Sequence, residues 1–317
     1  MNETTEKPAN SLSTRTIALR TAAVVLALGA LYFGVVWLQL SRFQSAGAGV
    51  DTKTAETISV INASINRLRE EPGAATVLAP ELANNDEALA AQLEAVETMG
   101  GFGLRPLPPG IDARKEYQDE LRAYVSEVRR LNGQLTGITS LITARTETIQ
   151  KMAQGFGVLE KLSKPDVTEE EVSTTLQNVK TSVDASVDKL RSIAASGATV
   201  YSSEGLITRL SAVSAVISDL FKSLKERDAA QLDSAVQSFS QLMKNDWQSL
   251  FVQSDSRGLV QLASSMRVLS EERERLGKAQ EEIVSTQTLV GLASLLLLAG
   301  AAVAAGFARR FGKAVAR

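Results

Sequence analysis

The sequence of 317 residues contains no cysteine and no histidine, and both absences exclude whole classes of chemistry. Without cysteine there is no disulfide, no thiolate metal site and no cysteine nucleophile. Without histidine the chain lacks the commonest transition-metal ligand and the usual general base of hydrolytic enzymes. We therefore expect no enzymatic activity, no metal site and no cofactor.

Proline and aromatic residues are also scarce, with 7 prolines and an aromatic content of 5%. The composition is dominated by Ala, Ser, Leu, Val, Glu and Gln, which favours helices and leaves little material for a β-sandwich or barrel. The 34 basic residues are balanced by 36 acidic ones, so the chain lacks the basic excess of a nucleic-acid-binding protein. These features predict an all-α protein that does not bind nucleic acid.

Two long segments without charge, residues 21–41 and 283–308, are predicted to be transmembrane helices. The first segment, TAAVVLALGALYFGVVWLQLS, lies between Arg20 and Arg42. As a helix, roughly 20 residues rise about 30 Å, which matches the hydrocarbon thickness of a bilayer. A buried core helix is the alternative for either segment, and a cleaved signal peptide is an alternative for the first. We therefore expect the lipid bilayer to be a partner of this chain.

The cations that flank the two segments predict the orientation in a cytoplasmic (inner) membrane. Basic residues follow the second span and precede the first one; they are Arg309, Arg310, Lys313 and Arg317, and Lys7, Arg15 and Arg20. By the positive-inside rule, both tails, residues 1–20 and 309–317, lie in the cytoplasm. The central domain, residues 42–282, is then predicted to be extracytoplasmic.

The central domain carries apolar residues at spacings of three and four, with no sustained alternation of period two. This pattern predicts successive long helices, separated at Pro72-Gly73, at the loop 100–110, at Pro165 and at Gly197. Thr168-x-x-Glu171 and Asp228-x-x-Gln231 are predicted to cap two of them. The predicted fold class is an elongated helical bundle or coiled coil, anchored in the membrane between two transmembrane helices.

The last helix has an apolar seam with a strict period of seven, formed by Leu262, Leu269, Leu276, Ile283 and Val290. Such a seam is typical of coiled coils. We expect one unbroken helix over residues 256–307, in which Gly277 is the weak point. The seam favours a homodimer or a membrane-protein partner, although the pattern leaves open whether it packs against its own chain or a second copy.

Arginines are the strongest candidates for ligand binding, because a guanidinium can hold an anion through two parallel hydrogen bonds. Arg67, Arg105 and Arg209 are the predicted ligand-binding residues for a small anionic ligand. Arg105 lies in the Gly/Pro-rich loop, where exposure suits recognition. The alternative interpretation is that each of these side chains is solvated or locally paired.

The arrangement of the chain resembles the input half of bacterial transmembrane receptors, namely chemoreceptors and sensor kinases. The length and the helix series are most similar to helical bimodular sensor domains, and the type IV pilus chemoreceptor input domain is a near alternative. Asn62, in the stretch VINASINRLRE, follows the first span where nitrate sensors and pilus chemoreceptors have Ile-Asn-x-Ala-Gly followed by Arg. The glycine of that stretch is missing here, and Arg67 and Arg69 fall out of its register.

The resemblance implies an inner-membrane sensor that binds a small ligand or a partner protein outside the cytoplasm. It would transmit the bound state through transmembrane helix 2 by protein–protein contact. The alternative hypothesis is a two-span envelope scaffold or assembly protein, in which the coiled-coil outer domain binds no ligand.

Overall fold

The computed structural model of the chain describes residues 9–99, 108–161, 168–195, 204–244 and 247–315. Within these ranges the secondary structure is helical and contains no strand, which confirms the predicted all-α class. The helices are α1 (Ala9–Glu70), α2 (Ala75–Thr98), α3 (Pro108–Lys161), α4 (Glu169–Ala195), α5 (Glu204–Glu226), α6 (Ala229–Lys244) and α7 (Trp247–Val315), with a 3-10 turn (Pro72–Ala74) between α1 and α2.

Two helices begin at the predicted capping residues. At the start of α4, the Thr168 hydroxyl accepts a hydrogen bond from the Glu171 backbone N–H, and the Glu171 carboxylate accepts one from the Thr168 N–H, each at 3.3 Å. At the start of α6, the Asp228 carboxylate accepts from the backbone N–H groups of Ala230 and Gln231. These bonds satisfy N–H groups that have no partner within the helix.

The end of α5 has a feature that the sequence did not signal. Arg227 adopts the left-handed conformation, with φ of 53°, at a position where glycine is the usual residue. The Asp228 N–H bonds to the Ser223 carbonyl and the Arg227 N–H to the Leu224 carbonyl, which together form a Schellman motif. The chain therefore turns sharply from α5 into the capped start of α6.

Two helices are longer than predicted. The first predicted span and the apolar repeat that follows it belong to a single helix, α1, of 62 residues. The helix α7, of 69 residues, passes Gly277 without interruption and begins at Trp247. The apolar spacing after Asp228 predicts a helix that continues through Trp247 and Leu250, but α6 ends at Lys244 and both residues belong to α7.

The chain divides into two compact units that share the long helices. Unit 1 comprises Met1–Lys53, Gln92–Tyr124 and Glu271–Arg317, and unit 2 comprises Thr54–Ala91 and Val125–Ser270. This division follows packing within the protein. The predicted domain 42–282 follows from membrane topology, and its boundaries remain a prediction.

In unit 2, helices α4, α5 and α6 pack around a core of aliphatic side chains and Phe239. The predicted apolar face of α4 is buried in this core at every position, namely Val172, Leu176, Val179, Val183, Val187 and Leu190. The spacing of Leu232, Val236 and Phe239 predicts the buried stripe of α6. That prediction is wrong at Val236, which is 42% exposed, whereas Ala235 is buried. The buried side of α6 passes through Leu232, Ala235, Phe239 and Leu242, so the helix is rotated relative to the predicted stripe.

In unit 1, the apolar segments of α1 and α7 pack against each other in antiparallel directions. The Ser294 hydroxyl donates a hydrogen bond of 2.9 Å to the Ala30 carbonyl. A Cβ atom at Gly34 would lie 3.6 Å from Ser294 Oγ, one at Gly300 would lie 3.4 Å from Leu26 Cδ1, and Gly306 has no neighbour within 4 Å. Small residues thus allow the two helices to approach closely at Ala30, Gly34 and Gly300 but not at Gly306.

Both of these helices are long and apolar enough to cross a membrane. In their most apolar windows only 11% of α1 and 6% of α7 is buried inside the protein. Large apolar side chains point away from the protein along both segments, including Val24, Leu28, Leu31, Leu295, Leu296 and Phe307. A core helix of a soluble protein would instead be mostly buried.

The heptad seam of α7 is covered within the single chain. Leu262, Leu269, Leu276 and Ile283 are all at most 5% exposed, whereas Val290 is half-buried. The seam therefore needs no second copy to bury its apolar surface. A homodimer remains a prediction, and it would have to form through a surface other than this seam.

A close contact between α1 and α3 fixes the core of unit 1. The Tyr117 ring lies against Gly47 and meets Phe43 edge to face, with ring centroids 5.9 Å apart. A Cβ atom at Gly47 would lie 2.8 Å from Tyr117 Cζ, which is closer than side chains allow. Because the Tyr117 ring is buried, it has no free space into which to move.

We expect Gly47→Ala to destabilise the protein by about 1–3 kcal/mol, because the new methyl group overpacks against Tyr117. Gly49→Ala is the matched control, since no atom lies within 4 Å of its Cβ position. The control should be neutral or more stable by up to about 1 kcal/mol, owing to helix propensity. Denaturant unfolding in mild detergent measures both variants, and equal effects would contradict the contact.

Candidate functional site

The structure places two of the three predicted ligand-binding arginines within its described residues. Arg67 is exposed near the end of α1, and Arg209 is partly exposed on α5. Arg105 lies outside the described residues. Arg209 does not line the cleft that Arg67 lines, so the structure does not bring these two residues together there. The neighbouring Arg69 donates to the Leu259 carbonyl at 3.5 Å.

Arg67 lines a cleft of about 250 Å³ between the end of α1 and the start of α2. The cleft also contains Glu81 and the hydroxyl groups of Ser59 and Ser64, and its apolar lining residues are Val60, Ala63 and Leu78. The Pro72-Gly73 turn brings these residues together, because it pairs positions on α1 and α2 that lie about equally far from the turn. The cleft thus combines one cation, one anion and an apolar floor.

The charged groups of this cleft are not used elsewhere in the described part of the chain. The side chains of Arg67 and Glu81 form no ion pair with each other or with another described residue. Ser64 is 2% exposed, and its hydroxyl makes no hydrogen bond among the described residues. A salt bridge between two exposed side chains is weak. Because Arg67 and Glu81 do not pair with each other, the N–H donors of Arg67 and the carboxylate oxygens of Glu81 are available to a third group.

A second cleft in unit 2, of about 470 Å³, has a similar pair of charges. It lies between α4 and α5 and is lined by Glu170, Ser173, Phe221, Leu224 and Lys225. Its cation is a lysine, which acts as a point charge and lacks the planar fork of arginine. Its greater volume and its aromatic side chain distinguish it from the Arg67 cleft.

A polar cluster in the core of unit 1 was not predicted from the sequence. Tyr124 is fully buried on α3, and its hydroxyl has no hydrogen-bond partner in the part of the chain that the structure describes. The same is true of one buried oxygen of Asp51, Oδ1. Burial raises the pKa of the Tyr124 phenol, while Arg273 acts to lower it and Asp51 to raise it. Burial, with a smaller contribution from Asp51, raises the pKa of Tyr117 to about 12. Both phenols therefore stay protonated at neutral pH.

Arg114 adds a cation to this core. Its guanidinium carbon lies 5.0 Å from the centre of the Phe43 ring, which is a cation–π geometry. Burial lowers the pKa of Arg114. Gln118, one turn further along α3, donates a hydrogen bond of 2.6 Å to the Val96 carbonyl of α2.

One ion pair and one hydrogen bond between side chains link helices within unit 2. The Arg129 guanidinium donates two hydrogen bonds to the Asp86 carboxylate, at 2.9 and 3.0 Å, and thereby holds the pKa of Asp86 below its usual range. Asp184 accepts from Lys180 Nζ and from Ser214 Oγ, each at 2.5 Å, and these bonds lower its pKa. These contacts hold polar side chains of α2, α3, α4 and α5 in fixed positions.

Among the described residues no group of three His, Cys, Asp or Glu side chains could hold a metal ion. The acidic run at 271–274 contributes local ion pairs, Glu272 with Arg275 and Glu274 with Lys278. Pairs of opposite charge three or four residues apart are typical of a solvated helix face.

No protein family, curated protein or solved structure shows significant similarity to this chain. The architecture, an all-helical chain with two long apolar helices and further helices between them, agrees with the resemblance to receptor input domains only in general form.

We expect Tyr124→Phe to leave the free energy of unfolding unchanged or to raise it by up to about 1 kcal/mol. The reason is that the substitution removes a buried hydroxyl without a partner and keeps the ring. Tyr124→Ala should instead cost about 3–5 kcal/mol, because it leaves a large cavity. Denaturant unfolding in mild detergent compares the two, and a loss of 1 kcal/mol or more in Tyr124→Phe would show that the hydroxyl is bonded, for example to a buried water.

Proposed function

We propose that this chain is a receptor-like protein of the cytoplasmic membrane. Helices α1 and α7 cross the bilayer at residues 21–41 and 283–308, both termini lie in the cytoplasm, and residues 42–282 lie outside it. The outer domain binds a small ligand or a partner protein. Transmembrane helix 2 passes the bound state to a neighbouring membrane protein by direct contact.

The observation that carries this proposal is the exposed apolar surface of the paired helices in unit 1. Leu31, Leu295, Leu296 and Leu298 are each more than half exposed, on segments that contain no charged residue. In water such a continuous apolar surface is unfavourable, whereas in lipid it is the expected exterior of a helix pair. Trp37, which packs beside Gly291, is at the position expected of an aromatic residue at the outer interface.

A groove along the same helix pair supports a partner within the bilayer. It has a volume of about 740 Å³ and is lined almost entirely by small and apolar residues of α1 and α7, among them Ala27, Gly34, Ala301 and Ala302. Small residues at a lipid-facing groove let another helix approach closely. This surface, rather than the buried seam of α7, is the one that a second copy or a different membrane protein would use.

The proposed membrane topology can be measured with single cysteines, because the natural chain contains none. Thr181→Cys lies on an exposed position of α4, and Arg310→Cys on an exposed position at the end of α7. In spheroplasts of an expressing bacterium, a membrane-impermeant maleimide should label Cys-substituted position 181 and spare position 310. Both should react after detergent is added. Labelling of position 310 alone in intact spheroplasts would contradict the topology.

Signal transmission predicts that a ligand changes the contact between the two spans. Gly34→Cys combined with Ser294→Cys should form a disulfide on mild oxidation, since the two side chains would be adjacent. Organic acids, amino acids and nitrate are the probes. We expect at least one of them to change the initial rate of disulfide formation by about twofold or more, because receptor helices shift by about 1–2 Å.

Leu31→Cys combined with Leu296→Cys is the control pair, because both side chains point outward. It should form no disulfide within one chain. If the Gly34/Ser294 pair oxidises at the same rate with every probe, the protein does not respond to these ligand classes. That result would favour the scaffold hypothesis.

A further inference from the structure

We propose that the Arg67 cleft binds a small α-amino acid with a short apolar side chain, as a zwitterion. The inference deepens the proposed receptor function, on which it depends for its biological meaning. It changes the expected ligand from a simple anion to a molecule that carries both charges.

The two charges of the cleft match the two charged groups of an amino acid. Arg67 offers a planar fork of N–H donors, which suits a carboxylate, and Glu81 offers carboxylate oxygens, which suit an ammonium group. Both groups line the same cleft and do not pair with one another or with other described residues. A plain anion would pair with Arg67 but would meet repulsion from Glu81.

The hydroxyl groups add donors and acceptors that a ligand can use. Ser64 is almost completely buried, lines the cleft and makes no hydrogen bond to any described residue. Ser59 lines the same cleft one and a half turns earlier on α1. A bound carboxylate between Arg67 and Ser64 would give hydrogen-bond partners to two groups that have none among the described residues.

The size and the lining of the cleft restrict the ligand's side chain. A volume of about 250 Å³ lies below the roughly 300–1,000 Å³ of clefts that hold drug-sized ligands. Val60, Ala63 and the buried Leu78 provide an apolar surface beside the charges. The cleft therefore suits glycine, alanine, valine or leucine better than an acidic, basic or aromatic amino acid.

The Lys225 cleft is the competing site for a zwitterion. It also holds opposite charges, Lys225 and Glu170, but a lysine ammonium binds a carboxylate without the two parallel hydrogen bonds of arginine. Its volume of about 470 Å³ and its Phe221 side chain suit a larger ligand. Lys225→Gln is therefore a matched control for Arg67→Gln.

Calorimetric titration of the full-length chain in mild detergent tests the inference with glycine, L-alanine, L-valine and L-leucine. We expect at least one to bind, and valine is the best fit. Isovalerate lacks the amino group of valine and isobutylamine lacks its carboxylate, so each should bind at least about tenfold more weakly. Arg67→Gln and Glu81→Gln should each raise Kd about tenfold or more, the worth of a hydrogen bond to a charged group.

Lys225→Gln and Arg209→Gln should leave Kd unchanged. Arg67 and Glu81 are exposed and form no ion pair with a described residue, so Arg67→Gln and Glu81→Gln should have the melting temperature of the natural protein. Circular dichroism measures it. The inference is wrong if none of the four amino acids binds, if isovalerate or isobutylamine binds as tightly as valine, or if Lys225→Gln rather than Arg67→Gln abolishes binding.

The two proposals fail in different ways. If nitrate or an organic acid alters disulfide formation between the spans while no amino acid binds, the receptor function stands and the zwitterion site is wrong. If an amino acid binds at Arg67 but disulfide formation never changes, the site stands and the proposed transmission through the spans is wrong.

Discussion

The burial of apolar seams is the interaction on which the long helices of this protein depend. Backbone hydrogen bonds and helix propensity alone stabilise helices only marginally in water, and most of the stability comes from packing of an apolar face. In α7 that face is the row Leu262, Leu269, Leu276 and Ile283, and in α3 it includes Leu121, Val128, Leu131 and Leu135. These rows are covered within one chain, so the helices do not require an oligomer in order to form.

A few polar side chains lie inside these apolar cores, and they differ in whether their hydrogen-bonding groups have partners. Asn132 is fully buried and donates to the Leu82 carbonyl, which ties α3 to α2. The Asn132 side-chain oxygen, however, is buried without a hydrogen-bond partner among the described residues, as are the Tyr124 hydroxyl and one Asp51 oxygen in the core of unit 1. Unsatisfied buried groups lower stability, so they mark a part of the core that packs less favourably than the aliphatic rows.

Local sequence signals anticipated much of the fold because their physical causes are local. The capping residues Thr168 and Asp228 act on N–H groups two or three positions away, and the apolar spacing of α4 reflects the geometry of a single helix. The Pro72-Gly73 turn was recognised for the same reason. The all-α class, the Pro72-Gly73 turn and most buried faces of the described helices could therefore be predicted from the sequence.

The features that the sequence did not reveal depend on contacts between distant segments. The rotation of α6 that buries Ala235 instead of Val236 is decided by its neighbour α5, and the Gly47–Tyr117 contact joins residues 70 positions apart. Glu81 was not recognised as the second charged residue of the Arg67 cleft, although both residues lie within ten positions of the Pro72-Gly73 turn. That proximity to a short turn was the available signal for the cleft.

The two glycine contacts of α1 constrain how that helix can move. Gly34 faces α7 and Gly47 faces α3, and thirteen residues separate them on an unbroken helix. At about 100° per residue, the two contacts point in directions that differ by roughly 140° around the axis. A rotation of α1 about its own axis that moves Gly34 away from α7 therefore also moves Gly47 away from α3. The two contacts together fix the rotation of α1 at two positions along its length.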